Sequence, residues 1–383
     1  MAARWWRVGV LRADMGGMSG VRGWVSWLPF TRGAARAVAT CVASVGVAAG
    51  MLVGATPASA AVSGAPTETA ASDPLRVASY NMMKVNAPTG PAWTDRFPRL
   101  PAIVSNIDPG VVALQEVTNH KSGNTRQRTL VHNTMRGLGY AVLDAPEYNE
   151  CVRPRDKRGK LAGPNPCDTS VTLAWKPELV SVLDSALPMT GITMAGSIAP
   201  VNPDADQRQV AWAFLQFQGR PFLLISTHLE NDRSPAGETG RVAFGSAVTA
   251  WADQLAAQRG LAGIPMVIAG DLNSYKKRQP AGVQAVLMNA GWSDAYYAAG
   301  TRVGERYATI NITPKTRKFG GFPPRPFQYS KKREPSRIDY VMFRGGVSAD
   351  RYETVVRLNP DGTFVEPLRM SDHNAVVADL RFL

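Results

Sequence analysis

Gly270-Asp271-Leu272-Asn273 sets a carboxylate and a carboxamide two residues apart, directly after the apolar run Met266-Val267-Ile268-Ala269. If extended geometry persists across the pair, both side chains point the same way from the C-terminal edge of a buried strand, where α/β proteins place chemistry. A carboxylate there can orient or deprotonate a water, and an amide beside it can donate to an oxyanion. Taken singly, the four residues are an Asx turn that closes a strand. Their companions change that reading. Asn81, Glu116, His228 and the run Ser371-Asp372-His373 also stand where apolar strands end or begin, and Asp339 sits inside Ile338-Asp339-Tyr340-Val341-Met342-Phe343. Each has an ordinary explanation: a solvent-ended strand for Glu116, a turn for Asp372-His373, a water-facing position for Asp339. A buried sheet that ends on so many acids nevertheless requires a partner for them to share.

The elements that must position these residues follow from hydrophobic period and punctuation. Strands are expected at Leu75–Asn81, Val111–Glu116, Tyr140–Leu143, Ser170–Trp175, Arg337–Phe343 and Ala375–Phe382. Val210–Phe217 and Pro221–His228 read as a hairpin around Gly219-Arg220. Helices are expected at Arg96–Ile107, Asn124–Leu138, Gly240–Gln258 and Ala281–Ala290. From Thr301 to Pro335 the pattern dissolves into Gly, Pro, cations and aromatics, the signature of a functional loop. No internal repeat or second linker appears, so residues 75–383 read as one domain.

Six motifs, Tyr-Asn81, Leu-Gln-Glu116, Thr-His228, Gly-Asp271-Leu-Asn273, Arg-Ile-Asp339-Tyr and Ser-Asp372-His373, occur in the order seen in the endonuclease/exonuclease/phosphatase superfamily. The resemblance spans Leu75 to Leu383. It implies an α/β (α+β) four-layer sandwich, two packed, mostly antiparallel β-sheets flanked by helices, and metal-assisted phosphoester hydrolysis. By that resemblance Glu116 is a direct Mg²⁺ ligand, with Asn81 and Asp372 on the metal or its waters; Mn²⁺ and Ca²⁺ are alternatives. Asp271 would activate the attacking water and Asn273 would donate to the phosphate. His373, oriented by Asp339, and His228 would be further donors, His228 toward the leaving group. Nuclease members orient the second histidine with an upstream acid, for which Asp168 is the candidate here. Arg208 matches a place where family members present a phosphate-contacting arginine, and a surface arginine is the alternative reading. His120 and His132 are read as structural.

The first sixty residues hold six Arg, one Asp and no Lys or Glu, followed by the uncharged run Ala37–Ala55 and Thr56-Pro-Ala-Ser-Ala60. That pattern reads as a secretory signal, with cleavage expected near Ala60 and a retained membrane anchor as the competing reading. Residues 61–74 then form a flexible leader. The remaining chain carries 37 Lys and Arg against 29 Asp and Glu, a net +8, which favours an anionic partner over a neutral one. In an oxidising compartment Cys151 and Cys167 are expected to pair, stapling the basic loop 152–160.

The basic balance and the aromatic-cation alternation of 315–333 favour nucleic acid as substrate, with a backbone groove and stacking platforms. The same loop could dip Phe319, Phe322, Phe327 and Tyr329 into a lipid interface, as a sphingomyelinase would, although Pro323, Pro324 and Pro326 oppose a regular hairpin. A small-molecule phosphatase is a third reading, and a catalytically silent anion-binding module a fourth. The intact set of acids argues against the last. No protein partner is implied, and a monomer is expected.

Overall fold

The computed structural model describes residues 73–143, 170–183, 210–274, 282–311, 322–329 and 334–383. Asp168, Arg208, Cys151, Cys167, the signal and nearly all of the leader, the loop 152–160 and much of 315–333 lie outside the described residues. No helix among the described residues is long and apolar enough to cross a membrane.

From the N-terminal side come β1 (Leu75–Asn81), α1 (Trp93–Arg96), α2 (Leu100–Ile107), β2 (Val111–Gln115), β3 (Lys121–Ser122), β4 (Thr125–Arg126), α3 (Gln127–Gly137), β5 (Ala141–Val142), β6 (Val171–Trp175) and β7 (Val180–Val182). Then follow β8 (Val210–Phe217), β9 (Arg220–His228), α4 (Pro235–Gln258), β10 (Met266–Asp271), α5 (Val283–Asn289), β11 (Ser293–Asp294), α6 (Ala295–Ala298), β12 (Thr301–Val303), β13 (Asp339–Arg344), β14 (Val347–Thr354) and β15 (Val376–Phe382). One sheet runs β12-β14-β15-β1-β2-β6-β5 and the other β11-β13-β10-β9-β8-β7. Most neighbours are antiparallel; β1 with β2, β9 with β10 and β12 with β14 are the parallel pairs.

Period-2 alternation explains the layering. In β9, Phe222 and Leu224 enter the core between the sheets, while Leu223 and Ile225 face the opposite way, into a second core shared with α4 and α5. In β1, Val77 points between the sheets, whereas Ala78 and Tyr80 join a third core with α1, α2 and α3. The central strands are therefore buried on both faces, which is why β2 and β10 read as unbroken apolar runs. The result is the expected four-layer sandwich.

Several boundaries moved. Helix α4 begins at Pro235 rather than Gly240, because Ser234 caps it by accepting from Gly237 N at 3.1 Å and Pro235 occupies the first turn. The hairpin turn is Gln218-Gly219, both residues having positive φ (50° and 77°), with Arg220 already in β9. The expected helix Arg96–Ile107 is broken by a 3-10 turn over Phe97–Arg99 that Pro98 opens.

Candidate active site

Strand register assembles the site. In the second sheet Asp271 pairs with His228 across the parallel β9–β10 contact and with Asp339 across the antiparallel β10–β13 contact. In the first sheet Asn81 pairs with Gln115, so Glu116 is the next residue out. Gly270 is needed where β9 and β10 approach: a Cβ there would lie 2.2 Å from Thr227 O. The last contributor is the turn before β15, where Ser371 Oγ donates to Asn81 O at 2.6 Å and accepts from His373 N at 3.1 Å.

The two sheets meet through the Asn81 amide. Its Nδ2 donates to Asp271 Oδ2 at 2.9 Å and to Glu116 Oε1 at 3.2 Å, while its Oδ1 accepts from Met83 N at 2.9 Å. The second oxygen of Glu116 accepts from Lys84 N at 2.7 Å. On the far side, Asp271 Oδ1 accepts from Asn273 N at 2.9 Å, and Asp271 Oδ2 lies 3.4 Å from His228 Nε2 and 3.8 Å from His373 Nε2. His373 Nδ1 lies 2.9 Å from Asp339 Oδ2.

Asn273 does not continue the strand. Its φ is +47°, and its N–H turns back to Asp271 Oδ1, while Leu272 N still bonds to Ile338 O at 2.7 Å in the β10–β13 register. The amide reaches Leu229 O at 2.9 Å and His228 Nε2 at 3.1 Å, so Asp271 and Asn273 both border His228 Nε2. Met83 and Glu116 also adopt positive φ, 59° and 58°. Outside glycine such backbone costs about 1–2 kcal/mol per residue and persists where surroundings over-determine it, as the paired carboxylate of Glu116 does here.

Burial sets the electrostatics. Asp271 is 1% exposed, and desolvation together with the Asp339 charge pushes its carboxyl up to about 7. Asp372 is also raised, by burial and then, among like charges, by Glu116. Glu116 goes the other way: burial opposes its ionisation, but His228, the Lys84 amide, His373 and Asn81 together hold it below the usual carboxylate range. Burial works against protonation of His373 as well, yet Asp339 and, more weakly, Asp271 and Asp372 hold it well above the ordinary imidazole value.

Four carboxylates therefore share this end of the sandwich with two imidazoles, both within 4 Å of Asp271 Oδ2. That set fits a divalent cation. Asp271, Asp339 and His373 bring ligand atoms within 4.8 Å of one another, but the His373 ring already bonds Asp339 and supplies nitrogen. Glu116 and Asp372 offer only oxygen acceptors, the donor set a hard cation prefers, and Asn81 could add its Oδ1, which accepts from Met83 N, if its amide turns.

Sequence reasoning singled out all eight residues that meet here: Asn81, Glu116, His228, Asp271, Asn273, Asp339, Asp372 and His373. It missed their supports. Arg96, 1% exposed, donates to Met82 O, Lys84 O and Met370 O, tying the Glu116-binding segment to the turn before His373. Thr309 Oγ1 accepts from Ile338 N and Asp339 N at 2.9 and 3.2 Å. On α4, Glu238 accepts from Ser274 Oγ at 2.7 Å and from Arg241, which also donates to Glu230 O and Asp232 O. This pair fastens the loops after β9 and β10 to one helix.

The sequence model of the Endonuclease/Exonuclease/phosphatase family matches residues 78–373, and the chain belongs to this family. It is a hydrolytic phosphoesterase, of a family whose enzymes are generally divalent-metal dependent. Solved structures with the same fold include family proteins from Bacteroides thetaiotaomicron and Bacteroides vulgatus. The first is 18% identical (TM-score 0.54; 81% of this chain and 98% of that one) and the second 19% (0.52; 81% and 99%). A mannosyl-6-phosphatase from Bacteroides thetaiotaomicron VPI-5482 is 17% identical (TM-score 0.53; 80% and 100%). At these identities the likeness is one of fold. No curated protein matches the chain.

Proposed function

We propose that the protein is a secreted phosphodiesterase that hydrolyses the backbone of nucleic acid with Mg²⁺. The observation that carries the chemistry is the Asn81 amide holding Glu116 and Asp271 within hydrogen-bond reach of one group, beside two imidazoles. Glu116, with Asn81 and Asp372, would hold the cation, which when bound supplies positive charge against the phosphate oxygens.

The residues of the chain divide the remaining work. Asp271 accepts the proton of the attacking water as the new P–O bond forms. The His373 imidazolium, held by Asp339, donates to a non-bridging oxygen where negative charge accumulates. His228 stands on the other side of Asp271 and gives a proton to the departing alkoxide as the old P–O bond breaks. The Asn273 amide lies against the His228 ring and is engaged before substrate arrives; Asp168, the expected orienter of that ring, lies outside the described residues.

Nucleic acid is favoured by the net +8 beyond residue 60 and by the aromatic-cation loop. Within that loop Phe327 is exposed, and its N–H bonds to Asn311 Oδ1 at 2.9 Å while Asn311 N bonds to Asp372 O at 2.7 Å. An exposed ring two hydrogen bonds from Asp372 suits a base-stacking platform. The test offers plasmid DNA, RNA, sphingomyelin and a sugar phosphate to the purified protein, with Mg²⁺ and with EDTA. Mg²⁺-dependent cleavage of DNA or RNA that Asp271→Ala abolishes supports the reading; turnover of only the lipid or the sugar phosphate refutes it.

A further inference from the structure

Directly beneath the site residues, polar side chains replace apolar ones in the core between the two sheets. Period-2 alternation leads from Val77 to Ser79 and Asn81 in β1, from Ala113 to Gln115 in β2, and from Leu224 to Ser226 and His228 in β9, all on inner faces. Ser79 and Ser226 thus lie one step below Asn81 and His228, and Gln115 stands beside Asn81 in the β1–β2 register. All three are fully buried. The Gln115 carboxamide links them: Oε1 accepts from Ser79 Oγ at 3.4 Å, and Nε2 donates to Ser226 Oγ, on the opposite sheet, at 3.3 Å. The strand neighbours at this depth are apolar, Ala113 pairing with Ser79, Ala269 with Ser226 and Val341 with Ala269.

This bridge joins the two halves of the site. Asn81, Glu116 and the Asp372-His373 turn belong to the strands of the first sheet and their ends, whereas His228, Asp271 and Asp339 belong to the second. The Asn81–Asp271 and His373–Asp339 contacts also cross between the sheets. Both are made by groups that change charge or partner during turnover, as Asp271 takes up a proton and His373 meets the phosphate. Gln115 has no charge to change. Apolar contact is non-directional and sets the separation of two sheet faces loosely, whereas a hydrogen bond fails outside a narrow range of length. At 3.3 and 3.4 Å both bonds of Gln115 stand at the long end of that range, so the sheets cannot part further here without breaking them.

We infer that Gln115 is a positioning residue: its bridge to Ser226 sets the distance between the sheets under the site, and with it the spacing between the cation held at Glu116 and the water held at Asp271. The inference rests on the roles proposed for those two carboxylates and not on which phosphoester is hydrolysed. The residues assigned to the metal share one sheet, while catalysis needs both. Loosening the bridge should therefore separate metal binding from turnover.

The test compares the wild-type full chain with Gln115→Met/Ser226→Ala, which removes both ends of the bridge together and so costs little stability. Magnesium affinity by calorimetry and the thermal midpoint in EDTA should stay near the wild-type values, while kcat on a small aryl phosphodiester falls about 10- to 100-fold. Ser226→Ala, on the sheet opposite Glu116, should give most of that loss by itself, and Gln115→Met added to it should cost little more. A crystal structure of the double variant should show the Asn81 Nδ2–Asp271 Oδ2 separation grown beyond its 2.9 Å. An unchanged separation overturns the proposal, as does an unchanged kcat. Magnesium affinity that falls in step with kcat also overturns it, because Gln115 would then be a prop for its neighbour Glu116. Asp271→Ala tells these failures from a failure of the proposed roles. If it abolishes hydrolysis while the double variant stays fully active, the bridge alone is refuted; if it leaves hydrolysis intact, the roles fail and the inference with them. Should the double variant not fold, Ser226→Ala carries the same comparison.

Discussion

His373 Nδ1 lies 2.9 Å from Asp339 Oδ2, and Asp339 is 0% exposed, so this imidazole is held as a cation facing Asp271. Converting Asp339 to Asn keeps the shape and removes the charge. In the metal-free protein the His373 ring should then titrate well below its wild-type value, as ring-nitrogen NMR would register. Hydrolysis should fall by about 10²–10⁴-fold. An unchanged His373 titration would refute the pairing.

Asp271 gives the metal-free protein a distinctive pH dependence. Its folded pKa, about 7, is above the ordinary 3.8, so the native state binds the proton more tightly than the unfolded chain. Stability from this group is full below pH 3.8 and is lost as pH rises toward 7. Thermal midpoints of wild type and Asp271→Asn, compared in EDTA from pH 4 to 8, should therefore draw together or reverse order as pH rises. Added divalent metal should restore the wild type most strongly at the alkaline end. A constant difference across the range would contradict the assignment.

Glu116→Gln keeps the shape and one of the two accepting oxygens, used by the Asn81 amide and the Lys84 N–H, while removing the charge. Divalent-metal affinity, measured by calorimetry, should weaken by at least about tenfold, with circular dichroism unchanged. Undiminished affinity would transfer the metal to the Asp271, Asp339 and His373 group.

Phe327→Ala separates substrate binding from chemistry. Loss of one stacking contact should raise KM for single-stranded nucleic acid roughly 5- to 150-fold, while turnover of a small aryl phosphodiester stays constant. Equal effects on both substrates would point to a disturbed Asn311–Asp372 connection.

Arg241→Met strands Glu238, which is 4% exposed, without its partner. The expected loss is about 3–5 kcal/mol in denaturant unfolding, together with lower kcat because both catalytic loops are released. A loss of stability with kcat intact would make the pair structural only.

The candidate site residues were legible because most border apolar runs that only a doubly buried strand needs, Asn81, Glu116, His228 and Asp271 at the ends and Asp339, Asp372 and His373 at or before the starts. The reach of each side chain was not. Asn273 sits two residues after Asp271, yet its left-handed backbone, and the Leu229 carbonyl and His228 ring its amide reaches on another strand's end, leave no local trace. The backbone of Glu116 was equally hidden, since glutamate announces no preference for positive φ. Strand β14 went unrecognised because the bulge between Ala349 and Arg351 breaks the alternation of Val347–Thr354. Buried arginines such as Arg96 and Arg241 could not be singled out, because nothing local reveals that carbonyls from other segments will surround them.

The pairing of Asp271 with His228 on one side and Asp339 on the other is fixed by backbone ladders. Sliding either strand by one residue would turn its acid or imidazole to the opposite face, so the reactive spacing cannot drift gradually. The loops leaving those strand ends face no such limit and can lengthen or change composition without altering it. Chemistry and choice of substrate are thereby separately inheritable, and the preference of such an enzyme can be re-engineered in its loops while its bond-breaking step stays fixed.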